Sequence, residues 1–162
     1  MHVFGPRQTV VPPAPLVLCG ADLPWVTRCE HLGHTLTADG LMDQDCREKR
    51  AQFIDSAVKI REMFHFAHPS EVISAIDKYC CNWYGSSLWC LRSSAVESIC
   101  SSWKTAVKLA WNVDRACHGY FVTHVLAPSY RPLKASLLSR FHNFWLSMLE
   151  SPSIEYQLMA RL

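Results

Sequence analysis

The sequence predicts a mainly α fold: a short N-terminal antiparallel β-hairpin followed by a bundle of four to five helices. Three observations predict it. Five of the nine prolines and four of the six glycines precede residue 42, which cuts the opening into short β-branched runs. After that point apolar residues recur at spacings of three and four, the period of a half-buried helix. With 49 % of its 162 residues apolar and 19 % charged, the chain has the composition of one ordinary domain with a real core. The boundary at residue 42 divides it into a proline-rich hairpin region, 1–42, and a helical region, 43–162.

The elements follow in order. "PLVLCG" and "LPWVTRCEHLGHTLT" read as two strands, with Gly20, Ala21 and Asp22 turning between them and "TADG" forming a further turn. The first helix should begin near Asp43 or Asp45, whose carboxylates suit the amide-rich, positive end of a helix. On it Phe53, Ala57, Ile60 and Phe64 make one apolar stripe, and Arg47, Arg50 and Arg61 share another face. "HPSEV" starts a second helix, with Pro69 in the first turn and Ser70 as the cap, running to about Tyr84 where Gly85 permits a break. A third helix spans "SSAVESICSSWKTAVKLAWNV", with Val96, Ile99, Trp103, Val107, Ala110 and Trp111 apolar and Lys104, Lys108 and Arg115 on a different face. A fourth runs from about Pro132 to Leu149, and a short tail helix follows Pro152.

Composition narrows the function classes. A formal net charge of +2 gives bulk charge no voice about nucleic acid; only its distribution speaks. No run approaches the roughly 18 apolar residues of a membrane span. "MHVFGPRQTVVPPAPLVLCG" lacks a basic start, an apolar core and a cleavage site, so an intracellular protein, nuclear or cytoplasmic, is expected. Its eight cysteines are then reduced thiols, mostly buried as small apolar groups.

"CEHLGHTLTADG", Cys29–Gly40, puts one cysteine and two histidines within six residues. Read as a single strand, it sends Cys29, His31, Gly33 and Thr35 to one face and Leu32, His34 and Leu36 to the other, so the histidines diverge. Neither CxxC nor HxxxH occurs, and structural zinc draws on such closely spaced pairs. No metal, no cofactor and no small-molecule substrate are expected. A Cys or His enzyme would need a nucleophile elbow or a local Cys–His signature, and neither is visible.

"HLGHTLTADGLMDQDCREKRAQF", "YCCNWYGSSLW" and "SSWKTAVKLAWNV" together resemble the C-terminal part of the reverse transcriptase of non-LTR (LINE-type) retrotransposons. There an extended segment ending in Leu-Gly leads into a basic helix, matched by Leu32, Gly33 and His34 and then Arg47, Lys49 and Arg50. A helix ending in Tyr-Gly with Trp four residues on is matched by Tyr84, Gly85 and Trp89. A helix with Trp, basic residues and an Ala-Trp pair is matched by Trp103, Lys104, Lys108, Ala110 and Trp111. A Pro-Leu start leading to Arg-Phe is matched by Pro132, Leu133, Arg140 and Phe141, with Ser151 after it. The likeness covers about residues 16 to 155. It departs after Trp111, where relatives carry Pro and then Thr-His and this chain has "VDRACHG", leaving only His118 in register.

The resemblance implies the last palm strands with the primer-grip hairpin, then the thumb and its C-terminal extension. The family's polymerase chemistry needs paired carboxylates holding two metal ions. No Asp-Asp pair occurs here, and "ADLP" and "TADG" each offer one turn aspartate. The expectation is therefore a catalytically incomplete, partial reverse-transcriptase-like protein that does not polymerise DNA. Its implied partner is an RNA–DNA or DNA duplex, held without reading sequence by Arg47, Lys49, Arg50, Arg61, Lys104 and Lys108. The remainder of a reverse transcriptase, or another protein, is the alternative partner, since so many apolar and aromatic residues in a short helical chain suit an uncovered patch. A solvated basic stripe, tryptophans in a core and Tyr84-Gly85 as a plain helix stop are the structural readings beside it, with Gly33 a bulge or close approach.

Overall fold

The computed structural model describes residues 16–159 apart from 25, 82 and the side chain of Tyr156; the proline-rich opening lies outside the described residues. The chain is mainly helical behind two small antiparallel hairpins. The first pairs β1 (Leu16–Leu18) with β2 (Ala21–Leu23), the second β3 (Arg28–His31) with β4 (His34–Thr37).

Both hairpins correct the sequence reading. The first turn falls on Cys19 and Gly20, with φ of 52° and 82°, so Ala21 and Asp22 are already strand. The second expected strand is itself folded in two. Leu32 and Gly33 take φ of 49° and 75°, the doubly left-handed geometry of a two-residue hairpin turn. Register then pairs His31 with His34 and Cys29 with Leu36, which puts all four on one face. The two histidines share a face rather than diverging. Gly33 is a turn residue with open space around it, neither a bulge nor a close approach.

Helix α1 spans Asp43–Met63, with Met42 at its cap position and no side-chain cap. Asp43 and Asp45 lie in its first turn, where anions oppose the helix dipole, but neither caps it. The stripe starts as expected, with Phe53 and Ala57 buried and Ile60 packed against the core; Phe64 falls past the helix end and is exposed. Helix α2, Pro69–Cys80, has Pro69 at its start, and its cap is His68 rather than Ser70. The His68 Nδ1 accepts from the Ser70 amide while Glu71 reaches back to the His68 amide, an imidazole version of the capping box. α2 ends four residues before Tyr84.

Helix α3, Ser94–Ala110, is the centre of the molecule. Val96, Ile99, Trp103 and Val107 are buried as their spacing requires, while Ala110 and Trp111 pack partly buried at its end. It packs against α1, α2, α5 and the turn of Val122–Leu126. Asn112, at φ 52°, ends it in the left-handed region, so Arg115 lies beyond the helix and off the face of Lys104 and Lys108. A short helix α4 (Gly119–Phe121), capped by His118, runs into a π turn over Val122–Leu126; the sequence reading had no helix there. Helix α5 (Leu133–Leu149) and the tail helix α6 (Ile154–Met159) close the chain. All eight cysteines are free, and only Cys46 and Cys100 are buried, fewer than expected. No described helix is long and apolar enough to cross a membrane.

Two glycines in the same backbone region separate backbone strain from packing. Gly33 and Gly85 have φ of 75° and 73°, but a Cβ on Gly85 would stand 2.0 Å from the His34 Cε1, whereas at Gly33 it would meet nothing within 4 Å. Gly33→Ala should cost about 1 kcal/mol of left-handed strain. Gly85→Ala should cost about 3 kcal/mol or more, because a buried ring must also move. Thermal melts of the two variants check the difference; equal losses would mean that His34 yields freely.

Candidate functional site

Two of the motif stretches singled out in the sequence, the one around His34 and the one ending at Trp89, converge on one carboxylate. Asp45, 1 % exposed, sits in the first turn of α1 beneath the second hairpin. Its Oδ2 accepts from the His34 Nδ1 at 3.1 Å and from the Trp89 Nε1 at 2.9 Å, and its Oδ1 accepts from the Thr35 amide at 3.2 Å. A carboxylate only accepts, so the His34 proton facing it is on Nδ1. A buried anion survives only where donors replace its lost water, and here three do.

The cluster extends outward from His34. Its ring stacks on Tyr84, centroids 5.2 Å apart at 25°, and presses on Gly85. Trp89 and Trp83 meet edge to face, and Trp83 tilts against Phe53. A cleft of about 580 Å3 beside the cluster is lined by Leu32, His34, Tyr84 and Gly85 and, from α5, by Arg140 and Phe144. Buried Ser86 also borders it, its hydroxyl without a hydrogen-bond partner among the described residues. The structure thus brings together Leu32, His34, Tyr84, Gly85, Trp89 and Arg140. It does not bring Trp103 or Trp111 there. Trp103 is core, and Trp111 donates its Nε1 to the Leu126 carbonyl at 2.9 Å. Phe141 stays on α5, half-buried against Trp145.

Asp45 was legible only as a helix-start acid, and Thr35 and Glu48 not at all. The Thr35 hydroxyl donates to the Glu48 Oε2 at 2.5 Å, and Gln44 and Arg28 reach the other oxygen at 2.8 and 2.9 Å. These contacts, the Thr35 bond foremost, hold the Glu48 carboxyl below the usual carboxylate range.

The cations divide by their surroundings. Arg47 and Arg61 are exposed on α1 and form no ion pair among the described residues. Arg50, between them, donates its Nε to the Ser102 hydroxyl of α3 at 2.8 Å. At 100° per residue Arg47, Arg50, Ile54, Val58 and Arg61 fall within an arc of about 80°. Lys49 lies on the far side of that helix, with Gln52 and Ser56. Lys104 leans toward Gly119. Lys108 is committed inside the fold: its Nζ donates to the carbonyls of Arg115 and Cys117 at 2.6 and 2.5 Å, tying down the loop after α3.

Nucleophilic thiols find little support here. Burial first, then the neighbouring Asp45 and Asp43 carboxylates, pushes the Cys46 thiol up to about 12. Burial does the same to Cys81, also to about 12, and raises Cys80 and Cys100. These four remain protonated at neutral pH. Among the described residues no three His, Cys, Asp or Glu side chains gather as a metal would need.

The Glu48 contacts predict a pH signature. A carboxyl held low in the folded state contributes stability in full above its unfolded value, about 4.3, and loses it as pH falls through the lower folded value. Thr35→Val removes the principal cause. Its melting temperature should lie about 2 °C below the parent at pH 7, and the gap should close below about pH 4. A gap that persists unchanged to pH 3 would assign it to packing instead. No protein-family model, no curated protein and no solved structure matches the chain.

Proposed function

We propose that this chain is a thumb-like, catalytically incomplete module similar to the C-terminal part of a non-LTR retrotransposon reverse transcriptase, which holds nucleic-acid duplex through its phosphates. The observation that carries the reading is the outer face of α1. Arg47, Arg50 and Arg61 share it, none forms an ion pair among the described residues, and Arg50 is held in place by Ser102; Asp43, one turn before Arg47, is the carboxylate on the same arc of the helix. From Arg47 to Arg61 the helix rises about 21 Å, enough to follow several phosphates of one strand. Such contacts position a duplex without reading it. The sequence resemblance points to the same partner.

The test is duplex binding across a salt series. Three phosphate contacts give a slope of log K against log salt of about −3, and Arg47→Gln/Arg61→Gln should reduce it to about −1. Lys134→Gln, which removes a cation already paired with Glu97, should leave the slope unchanged. Binding that ignores salt, or falls alike in both variants, would sink the proposal.

A second reading rests on a separate observation. Past Leu137, α5 buries no residue completely, and Leu138, Leu146 and Leu149 of α5 with Ile154, Leu158 and Met159 of α6 are exposed. An apolar surface of that kind marks a protein contact. Sedimentation over a hundredfold concentration range should then show self-association that Leu138→Glu/Leu149→Glu relieves. A monomer throughout would count against it.

A further inference from the structure

We infer that the cleft of about 580 Å3 between the second hairpin and α5 binds an apolar monocarboxylate of the fatty-acid class, its tail among leucines and its carboxylate on Arg140. The volume lies within the roughly 300–1,000 Å3 of pockets that take whole small molecules. The wall is apolar. Leu32 and Leu88 line it 72 % and 53 % exposed, and Leu36, Met42 and Phe144 line it half-buried. Such side chains hold apolar surface in water that a hydrocarbon tail would cover. Tyr84 adds a fixed wall, because the His34 ring stacks behind it. A sugar or a peptide backbone would strand its polar groups against this lining.

The charge at the cleft has one sign. Arg140 is the lining residue with a permanent charge, and it forms neither an ion pair nor a side-chain hydrogen bond among the described residues. No carboxylate lines the cleft among those residues; Asp45 lies behind the His34 ring with its oxygens taken by three donors. A guanidinium in that setting can meet a carboxylate through two parallel N–H bonds. A second polar group there lacks a partner. Ser86, 1 % exposed, borders the cleft, and its hydroxyl makes no hydrogen bond among the described residues. α5 packs on the short helical turn Ser86–Leu88, so the serine and Arg140 wall the cleft from adjoining elements. A buried hydroxyl left unpaired is costly, and a carboxylate oxygen can accept from it. Free phosphate would meet the same donors but leave the leucines bare.

The experiment is calorimetric titration of the full chain with octanoate, decanoate and dodecanoate, each below its micelle-forming concentration, and with dodecyltrimethylammonium as a cation of equal tail. Each added methylene should tighten binding about threefold. Dodecanoate should bind about tenfold tighter than the cation. Arg140→Gln, which removes no ion pair or hydrogen bond of the fold, should melt with the parent and bind acid and cation alike. Leu32→Asn should keep the turn, since Asn tolerates the left-handed backbone there, and weaken both ligands about threefold. Equal affinity for acid and cation in the parent overturns the inference, as does an affinity that does not rise with tail length. Acid binding unchanged in Arg140→Gln, or in Leu32→Asn, places the ligand elsewhere and overturns it too. Displacement of dodecanoate by inorganic phosphate at equal concentration would reduce the site to a bare anion contact, which also overturns it. None of these outcomes touches the duplex proposal, which rests on Arg47 and Arg61.

Discussion

The fold hangs on a carboxylate that water cannot reach. Asp45 accepts a ring N–H and an amide from β4 and an indole N–H from the segment before α3, so one side chain ties the hairpin, α1 and the entry to α3. Losing any single donor would strand part of a buried charge, which costs far more than the net worth of one hydrogen bond. Position helps as well. The first turn of α1 directs free amides and the positive end of the helix dipole toward the carboxylate, so the helix lowers the cost of burying it.

That tie also divides the surface of α1. With β4 anchored at Asp45, the opposite face of the hairpin carries Thr35 and Arg28 onto Glu48, and the negative charge of that side is used internally. Cys46, Phe53 and Ala57 turn into the core. One outward arc carries Arg47, Arg50 and Arg61, with Asp43 a turn before them and Ile54 and Val58 between, while Asp55, Lys59 and Glu62 stand exposed beside it. A net charge of +2 is too small to argue for a polyanionic partner, yet a local face on which three arginines outnumber the one carboxylate of Asp43 can still attract one. Lys108 shows the converse: a lysine at the right helical spacing that the fold spends on two carbonyls.

How much of this the sequence discloses depends on how local each constraint is. Helix α3 was legible because its six apolar positions repeat at helical spacing and the structure packs all of them against neighbours. The turn at Leu32 was not, because a leucine at φ 49° is offset by the β3–β4 pairing, which no local propensity contains. Missing that turn also misplaced His31 and His34, since a fold-back reassigns every side chain to a face. Histidines at 68 and 118 cap helices through Nδ1, a role the usual Ser, Thr, Asp and Asn preference hides. Asp45 looked like a first-turn acid and is one; what lay 44 residues away, at Trp89, could not be read from its surroundings.

The same chain of contacts reaches the surface. Asp45 fixes the His34 ring, the His34 ring backs Tyr84, and Gly85 is the residue whose missing Cβ leaves room for that ring. An exposed tyrosine ordinarily samples several rotamers and loses that freedom when a ligand stacks on it. Tyr84 has already lost it on folding, so a contact there forfeits less side-chain entropy than one made by a free ring. A rigid aromatic surface is in this sense a product of the buried carboxylate. Substitutions at Asp45 or Gly85 should therefore loosen the Tyr84 ring even where the helices survive, which makes the core and the cleft one mechanical unit rather than two neighbouring features.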